Sequence, residues 1–435
     1  MDKKQRLKKA AVEEIEKKKD LILDVGEKMY ENPELGYKEN FATDLVSEEL
    51  EKLDLEVEKN IAVTGCKAGL EGSGAGPTLA VMGELDAVIV HEHPDADPET
   101  GAVHACGHNI QTAAMLGVAH ALSSEKIMAE LAGEIVFMAV PAEEFVELDY
   151  RSGLKEEGKI DYFGGKQEMI KRGHFDDVDM AMMIHSLEMD EKDVIVGPEG
   201  NGFIGKNVNF VGREAHAGSA PEEGVNALNA AMLAMNNIHA QRETFPDDER
   251  VRVHPIITKG GDIVNVVPSD VRMETYVRAR TLDGLTEANE KVNRALRAGG
   301  DAVGAEVKIE EIPGYLPMIN TGDLDEIFAD NAANLTDEEK IQRGASFAGS
   351  FDFGDLTHIM PGLHPLVSGV RGSIHSREFE IEDREKAYLL PAKVMAMSAI
   401  DLLYGEAEKA DRIIDKFEPV LSKEEYIDFL EEISS

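Results

Sequence analysis

The segment His104-Ala105-Cys106-Gly107-His108-Asn109 places a thiol and an imidazole two residues apart. In extended chain, residues i and i+2 project to one side, so both groups can face one point. A thiolate beside an imidazole suits a borderline-soft divalent ion such as zinc, manganese or nickel. The same spacing also fits a cysteine nucleophile with its base, or a buried cysteine ahead of a helix-starting histidine. A nucleophile needs no distant ligands, whereas a metal does, and further donors are present. Glu143 and Glu144 follow the apolar run Gly133–Val140 as adjacent carboxylates, at a strand end, where open α/β sheets gather their active-site groups. Neighbouring strand residues point oppositely, so one carboxylate can hold metal while the other handles a proton of water. His185 closes the apolar run 180–184, and His375 lies in a turn before the last long helical pattern. His91 and His93 read as part of a polar loop, and His120, His174, His239, His254 and His358 as helix-face or core residues. His104 could touch substrate, and His364 stays open.

These groups need a scaffold. The opening stretch, with Leu7, Ala11, Ile15, Leu21, Ile22, Val25 and Met29 on one stripe, predicts a helix ending near Pro33, and a second helix spans roughly 41–53. Runs at 78–83, 134–140 and 180–184 are strand-length and unalternated, as in strands covered on both faces. Helical patterns at 109–122 and around 166–172 lie between them. Strands alternating with helices predict an α/β domain whose mostly parallel sheet is flanked by helices. Near Pro198 the pattern changes to strand 206–211, helix 224–240, strands 251–258 and 271–278, helix 286–298 and strand 306–312. This reads as an α+β domain, 198–313, inserted between a first part (1–197) and a second part (314–435) of the α/β domain, with a helical tail from Ala407.

Composition narrows the partners. The 435 residues carry 85 acidic against 45 basic side chains, a formal charge of −40. That excludes nucleic acid and anionic membrane as partners, since both demand positive patches. It fits either a solubilising acidic surface or adaptation to high salt. No apolar run reaches membrane-spanning length, and the charged N-terminus has no secretory apolar segment. Two cysteines make no disulfide framework, so the expected location is cytoplasmic.

In this order the motifs resemble the aminoacylase/carboxypeptidase-type metallo-amidohydrolases (clan MH metallopeptidases). The likeness is greatest to the branch of indole-acetyl-amino-acid, hippurate and aminobenzoyl-glutamate hydrolases. It runs from Asn32-Pro33-Glu34-Leu35-Gly36 to His375 and is carried by HACGH, PAEE, GREAHAG (212–218), NVVP (265–268) and the terminal histidine. The resemblance implies one or two divalent ions (Zn, Mn, Ni or Co) on Cys106, His108, Glu144, His185 and His375, with Cys106 bridging. It implies Glu143 as general base and Asp86 as the carboxylate that orients a ligand histidine or supports the base. The inserted domain corresponds to a lid that usually dimerises, which makes a homodimer the expectation. His216 matches a donor to the oxyanion, and Asn265 and Arg278 match residues that grip the substrate carboxylate. The sequence departs from the nearest branch at Asn109, at Gln111 and in HSREFEI (375–381). Glu84, two residues before Asp86, need not ligate. The expected activity is hydrolysis of N-acyl or N-aroyl amino acids or aminobenzoyl-glutamate-like conjugates. The alternatives are a dipeptidase of the same family, a cysteine amidase using Cys106, and a non-catalytic binding relative.

Overall fold

The unalternated runs become the parallel heart of a six-stranded sheet. In a computed structural model describing residues 2–434, the strands lie in the order Val57–Ile61, Gly65–Glu71, Glu134–Val140, Thr78–Glu84, Met180–Met182, Gly362–Leu363. The last four run parallel and the first two antiparallel. A second, four-stranded sheet contains His185–Ser186, Val194–Pro198, Ile341–Ala345 and Leu366–Val367. The chain divides into two units, 1–198 with 319–345 and 356–420, and 199–318 with 346–355 and 421–435. The boundaries drawn from sequence were 197/198 and 313/314.

The first unit is organised on the helix His108–Leu122, every residue of which is buried. Its sequence, HNIQTAAMLGVAHAL, is apolar or small all round, which only an interior helix tolerates. Gly117 lets Leu390–Leu403 approach, since a Cβ there would stand 2.9 Å from the Cβ of Ala392. Asn109 and Gln111 are structural. The Asn109 amide donates to the carbonyl of Gly26 and the hydroxyl of Tyr388, and the Gln111 side-chain oxygen accepts the Glu84 N–H. Two expected single elements are divided. The opening helix breaks at Lys18 into Lys3–Lys17 and Lys19–Glu31, within a charged run that has nothing to bury. The last long helix begins as a π-type turn, Glu385–Leu389, because Pro391 has no N–H to continue the ladder.

The second unit is an antiparallel sheet in the order Arg252–Val253, Asp270–Ala279, Gly202–Val211, Glu306–Pro313, with Ile256–Lys259 also paired to Asp270–Ala279. Val271, Met273 and Val277 alternate onto a buried face with Ile204, Val208 and Phe210. The sequence predicts one strand over 251–258, but Pro255 lacks a ladder donor and splits it. Helices Ala227–Gln241 and Leu282–Asp301 are capped by Asn226 and Thr281, whose side chains accept from Asn229 and Gly284 amides. Among the described residues no helix is long and apolar enough to cross a membrane.

One contact ties this packing to the chemistry. A Cβ on Gly83 would lie 2.7 Å from the Cα of Thr112, where strand Thr78–Glu84 meets the central helix and the Thr112 hydroxyl donates to the Glu84 carbonyl. Gly83→Ala should therefore destabilise the protein by about 1–3 kcal/mol, read from urea denaturation midpoints. An unchanged midpoint would mean that strand and helix can part without loss.

Candidate metal centre

Cys106, His108, Glu143, Glu144, His185 and His375 converge at the carboxyl ends of the parallel strands. Glu84 ends Thr78–Glu84, the PAEE segment continues Glu134–Val140, and His185 follows Met180–Met182. Cys106 and His108 come from the turn into the central helix. There Gly107 is obligatory, because its φ is +87° and a Cβ would lie 2.1 Å from the Ser186 hydroxyl. His375 sits at φ +60° in the loop between Val370–Arg371 and Glu380–Ile381, and its N–H donates to the Ala105 carbonyl.

The donor atoms form two groups that share one sulfur. Cys106, His108 and His185 bring ligand atoms within 4.8 Å of one another, as do Cys106, Glu144 and His375. Sγ of Cys106 lies 3.3 Å from Nε2 of His185, and Nε2 of His375 lies 2.9 Å from Oε1 of Glu144. Atoms bound about 2.0–2.3 Å from one ion at octahedral to tetrahedral angles stand roughly 2.9–3.5 Å apart. The histidine tautomers fit the same purpose. Nδ1 of His108 donates to the Asp86 carbonyl and Nδ1 of His185 to the Ser186 carbonyl, both at 2.8 Å. In the neutral ring each Nε2 then carries the lone pair. Nε2 of His108 and Oε1 of Glu144 are buried without a hydrogen bond of good geometry. Despite their burial, His108, His185 and His375 hold protons above the usual imidazole range because Cys106 and the carboxylates face them; a divalent cation takes the place of those protons, so these residues fit the ion that the sequence implies.

The Glu143–Glu144 turn is held on three sides. Ala142 adopts φ +54°, a conformation that costs about a kcal/mol or more. The Glu39 carboxylate accepts the Ala142 N–H at 2.8 Å, Asp86 Oδ2 accepts the Glu144 N–H at 2.8 Å, and the buried Arg151 donates to the Glu144 carbonyl. Asp86 also brings Oδ1 to 3.2 Å from Nδ1 of His108. Glu143 keeps 11% of its side chain exposed, against 7% for Glu144 and 0% for Asp86, so it is the carboxylate that water reaches most easily.

The sequence reading did not single out Glu39, Arg151 or Lys166, and it set Glu84 aside. Glu84 is 2% exposed, with Oε1 2.5 Å from the ammonium of the buried Lys166 and Oε2 3.1 Å from Nε2 of His108. The signal for Glu84 was available: it stands two residues before Asp86 at a strand end, the alternation that pairs Cys106 with His108. His104 is buried, with neither ring nitrogen hydrogen-bonded, and burial pushes its pKa down to about 3. His93 is structural, its ring bonded to the Phe379 carbonyl.

His216, Asn265 and Arg278 belong to the second unit. Main-chain bonds from Ala217 to Asn265 and from Val267 to Ala215 join the GREAHAG and NVVP motifs. Nδ1 of the exposed His216 accepts the N–H groups of Gly218 and Ser219, both at 3.1 Å, which puts the ring proton on Nε2. Arg278 donates to the Ser350 hydroxyl at 2.6 Å, with its guanidinium 5.2 Å from the Phe203 ring and 5.5 Å from that of Tyr276.

The model of peptidase family M20/M25/M40 matches residues 80–399. The chain is 31% identical to the Xaa-Arg dipeptidase of Mus musculus over 349 residues, 77% of this chain and 73% of that one. It is 26% identical to an IAA-amino acid hydrolase of Arabidopsis thaliana over 389 residues, 85% and 83% of the two chains. A solved structure of a dinuclear metal-binding peptidase from Bacillus subtilis is similar with a TM-score of 0.66 at 20% identity, covering 88% of this chain and 98% of that one.

The two free cysteines occupy opposite electrostatic settings. Burial and Glu144 act to raise the Cys106 pKa, but His108, His185 and His375 outweigh them and bring it down to about 6. Burial pushes Cys66 up to about 11. The thiolate reacts and the thiol does not, so reactivity appears as pH rises through the folded pKa. In chelator-treated protein, alkylation of Cys106 should rise with a midpoint near pH 6 while Cys66 stays inert to well above pH 9. Restoring a divalent ion should protect Cys106. A Cys106 midpoint near that of a free thiol, or no protection by metal, would remove it from the centre.

Proposed function

Since the chain belongs to peptidase family M20/M25/M40 and is a metal-dependent amidohydrolase, we propose that it releases the amino acid from N-acyl or N-aroyl amino acids, aminobenzoyl-glutamate-like conjugates included. What carries the reading is an accessible carboxylate, Glu143, beside two donor groups that share Cys106. Dipeptide hydrolysis is the second reading, favoured by the 31% identity to a dipeptidase.

Cys106, His108 and His185 would hold one ion, and Cys106, Glu144 and His375 a second. Two ions are supported by the two donor groups, which share Cys106. Zinc, manganese, nickel or cobalt suits the mixed sulfur, nitrogen and oxygen donors. When bound, such an ion supplies Lewis acidity and lowers the pKa of water. Glu143 takes the proton of the attacking water and returns it to the leaving amine. Asp86 fixes the His108 ring and the Glu144 amide, so the donors stay aimed as charge develops. Arg278 presents its fork from an aromatic bed to the substrate carboxylate, with Asn265 as a further donor. His216, with its proton on Nε2, is a donor to the developing oxyanion.

We also propose a homodimer through the inserted domain. Support comes from the exposed Met232, Leu233, Ile256, Ile263 and Val264 and from strand Ile256–Lys259, which pairs only with Asp270–Ala279 among the described residues. Two unpaired cysteines support a cytoplasmic setting.

Glu143→Gln and His216→Ala should both keep wild-type metal content. The first should lose roughly 10²–10⁴-fold in turnover, and the second about 2.7–4 kcal/mol in kcat. The assay is a panel of N-acyl amino acids, aminobenzoyl-glutamate and dipeptides. Near-normal turnover by a metal-replete Glu143→Gln protein, or a covalent acyl adduct on Cys106, would sink the mechanism. Unchanged kcat in His216→Ala would remove that residue alone. For the dimer, sedimentation should give twice the chain mass, and Val264→Asp should weaken association; a monomer at micromolar concentration would refute it.

A further inference from the structure

The pair Glu84–Lys166 is not assigned a role by the sequence motifs. Both side chains are buried: Glu84 ends strand Thr78–Glu84, and the helix Gly165–Lys171 brings Lys166 to it. Lys166 donates to Oε1 of Glu84. The other carboxylate oxygen, Oε2, is buried and has no hydrogen-bond partner.

That oxygen lies 3.1 Å from Nε2 of His108. In the neutral ring, whose proton is on Nδ1 and bonded to the Asp86 carbonyl, two lone-pair atoms face one another at this distance. They are not aligned for an N–H···O bond, since neither atom has a partner of that geometry, so a second ring proton would make a charge contact there without a hydrogen bond. An oxygen beside a nitrogen, off its hydrogen-bonding direction and about 3.0–3.4 Å away, is instead the edge of a coordination polyhedron with bonds near 2.1 Å. The three atoms of Glu84, His108 and Glu143 also lie within 4.8 Å of one another.

We propose that Glu84 is a ligand of the ion held by Cys106, His108 and His185, with Lys166 as its built-in counter-charge. The inference rests on the metal centre described above and adds a fourth protein donor to one of its ions. Lys166 occupies one carboxylate oxygen and leaves the other to point at the ion, which makes Glu84 monodentate. It also offsets the charge that a fourth donor adds, as an all-anionic shell would bind tightly but quench the Lewis acidity of the ion.

The test titrates full-length, metal-stripped protein with cobalt(II), following affinity by calorimetry and ligand field by absorption. Wild type should take two ions, with a thiolate-to-cobalt charge-transfer band. Glu84→Asp keeps the charge that Lys166 needs but withdraws the oxygen by one methylene. Glu84→Gln combined with Lys166→Met removes both charges at nearly constant volume, so no unpaired lysine is left buried. In both variants one ion should weaken by more than the roughly 10- to 100-fold typical of losing an outer-sphere partner. The d–d bands should shift while the thiolate band remains. Unchanged affinity, or a smaller loss with unshifted d–d bands, would overturn the assignment and make Glu84 an outer-sphere partner. Wild-type protein that binds no cobalt would overturn the metal centre itself, so the two failures are distinguishable.

Discussion

Like charge buried in one place is the constraint on which this structure turns. Asp86, Glu84 and Glu144 are almost fully buried, Glu143 nearly so, and Cys106 ionises easily. Two unit charges 4 Å apart at an effective dielectric of about 20 repel by roughly 4 kcal/mol. A handful of such pairs would consume the whole 5–15 kcal/mol that typically holds a domain together. The cluster is therefore tolerable only where positive charge and donors are supplied in fixed positions. Lys166 is one supply. The N–H of Glu144, the imidazoles and the buried Arg151 are others. What these leave over is the binding energy for divalent ions, so the affinity of the centre and its cost to folding are the same quantity.

The scaffold follows from that demand. Parallel strands end together, and here three neighbouring strands deliver Glu84, the PAEE turn and His185 to one rim. The central helix starts at the same rim, directly after Cys106 and Gly107. Close approach is what permits this, and it is bought with glycine: Gly83 against Thr112, Gly107 against Ser186, Gly165 against the Pro141 carbonyl. The strained Ala142 completes the design. Glu39 and Asp86 hold its turn through backbone amides, so the two adjacent glutamates diverge, one toward Cys106 and His375 and one toward Glu84 and His108.

Much of this was legible because period and chemistry are local properties. The run 134–140 matches its strand residue for residue, and the helix predicted over 109–122 differs by one residue. Cys106, His108, Glu143, Glu144, His185 and His375, scattered over 270 positions, could be gathered only because each sits at an element end or turn and their order matched a family. What escaped was tertiary. Nothing local marks Lys166 as buried, since a lysine early in a helix is ordinarily solvated. Glu39 and Arg151 act only through the backbone of a turn more than a hundred residues, or several turns, away. No motif marks Glu84, although its alternation with Asp86 predicts a shared side.

The histidines show why residue type alone decides so little. His108, His185 and His216 are chemically identical, and the backbone makes them opposites. Two present Nδ1 to a carbonyl oxygen, which can only accept, so a proton stays there and Nε2 is the atom that can ligate. His216 presents Nδ1 to two amide N–H groups, which can only donate, so the proton moves to Nε2 and the ring becomes a hydrogen-bond donor. A ligand must offer electrons to an ion, while an oxyanion partner must offer a proton to developing negative charge. Which nitrogen of each ring faces outward is thus set by main-chain groups that no side-chain motif records. The GREAHAG glycine and the residues after Asp86 and His185 are read as spacers in sequence, but in the folded chain their neighbouring peptide groups choose the tautomer, and with it the chemistry.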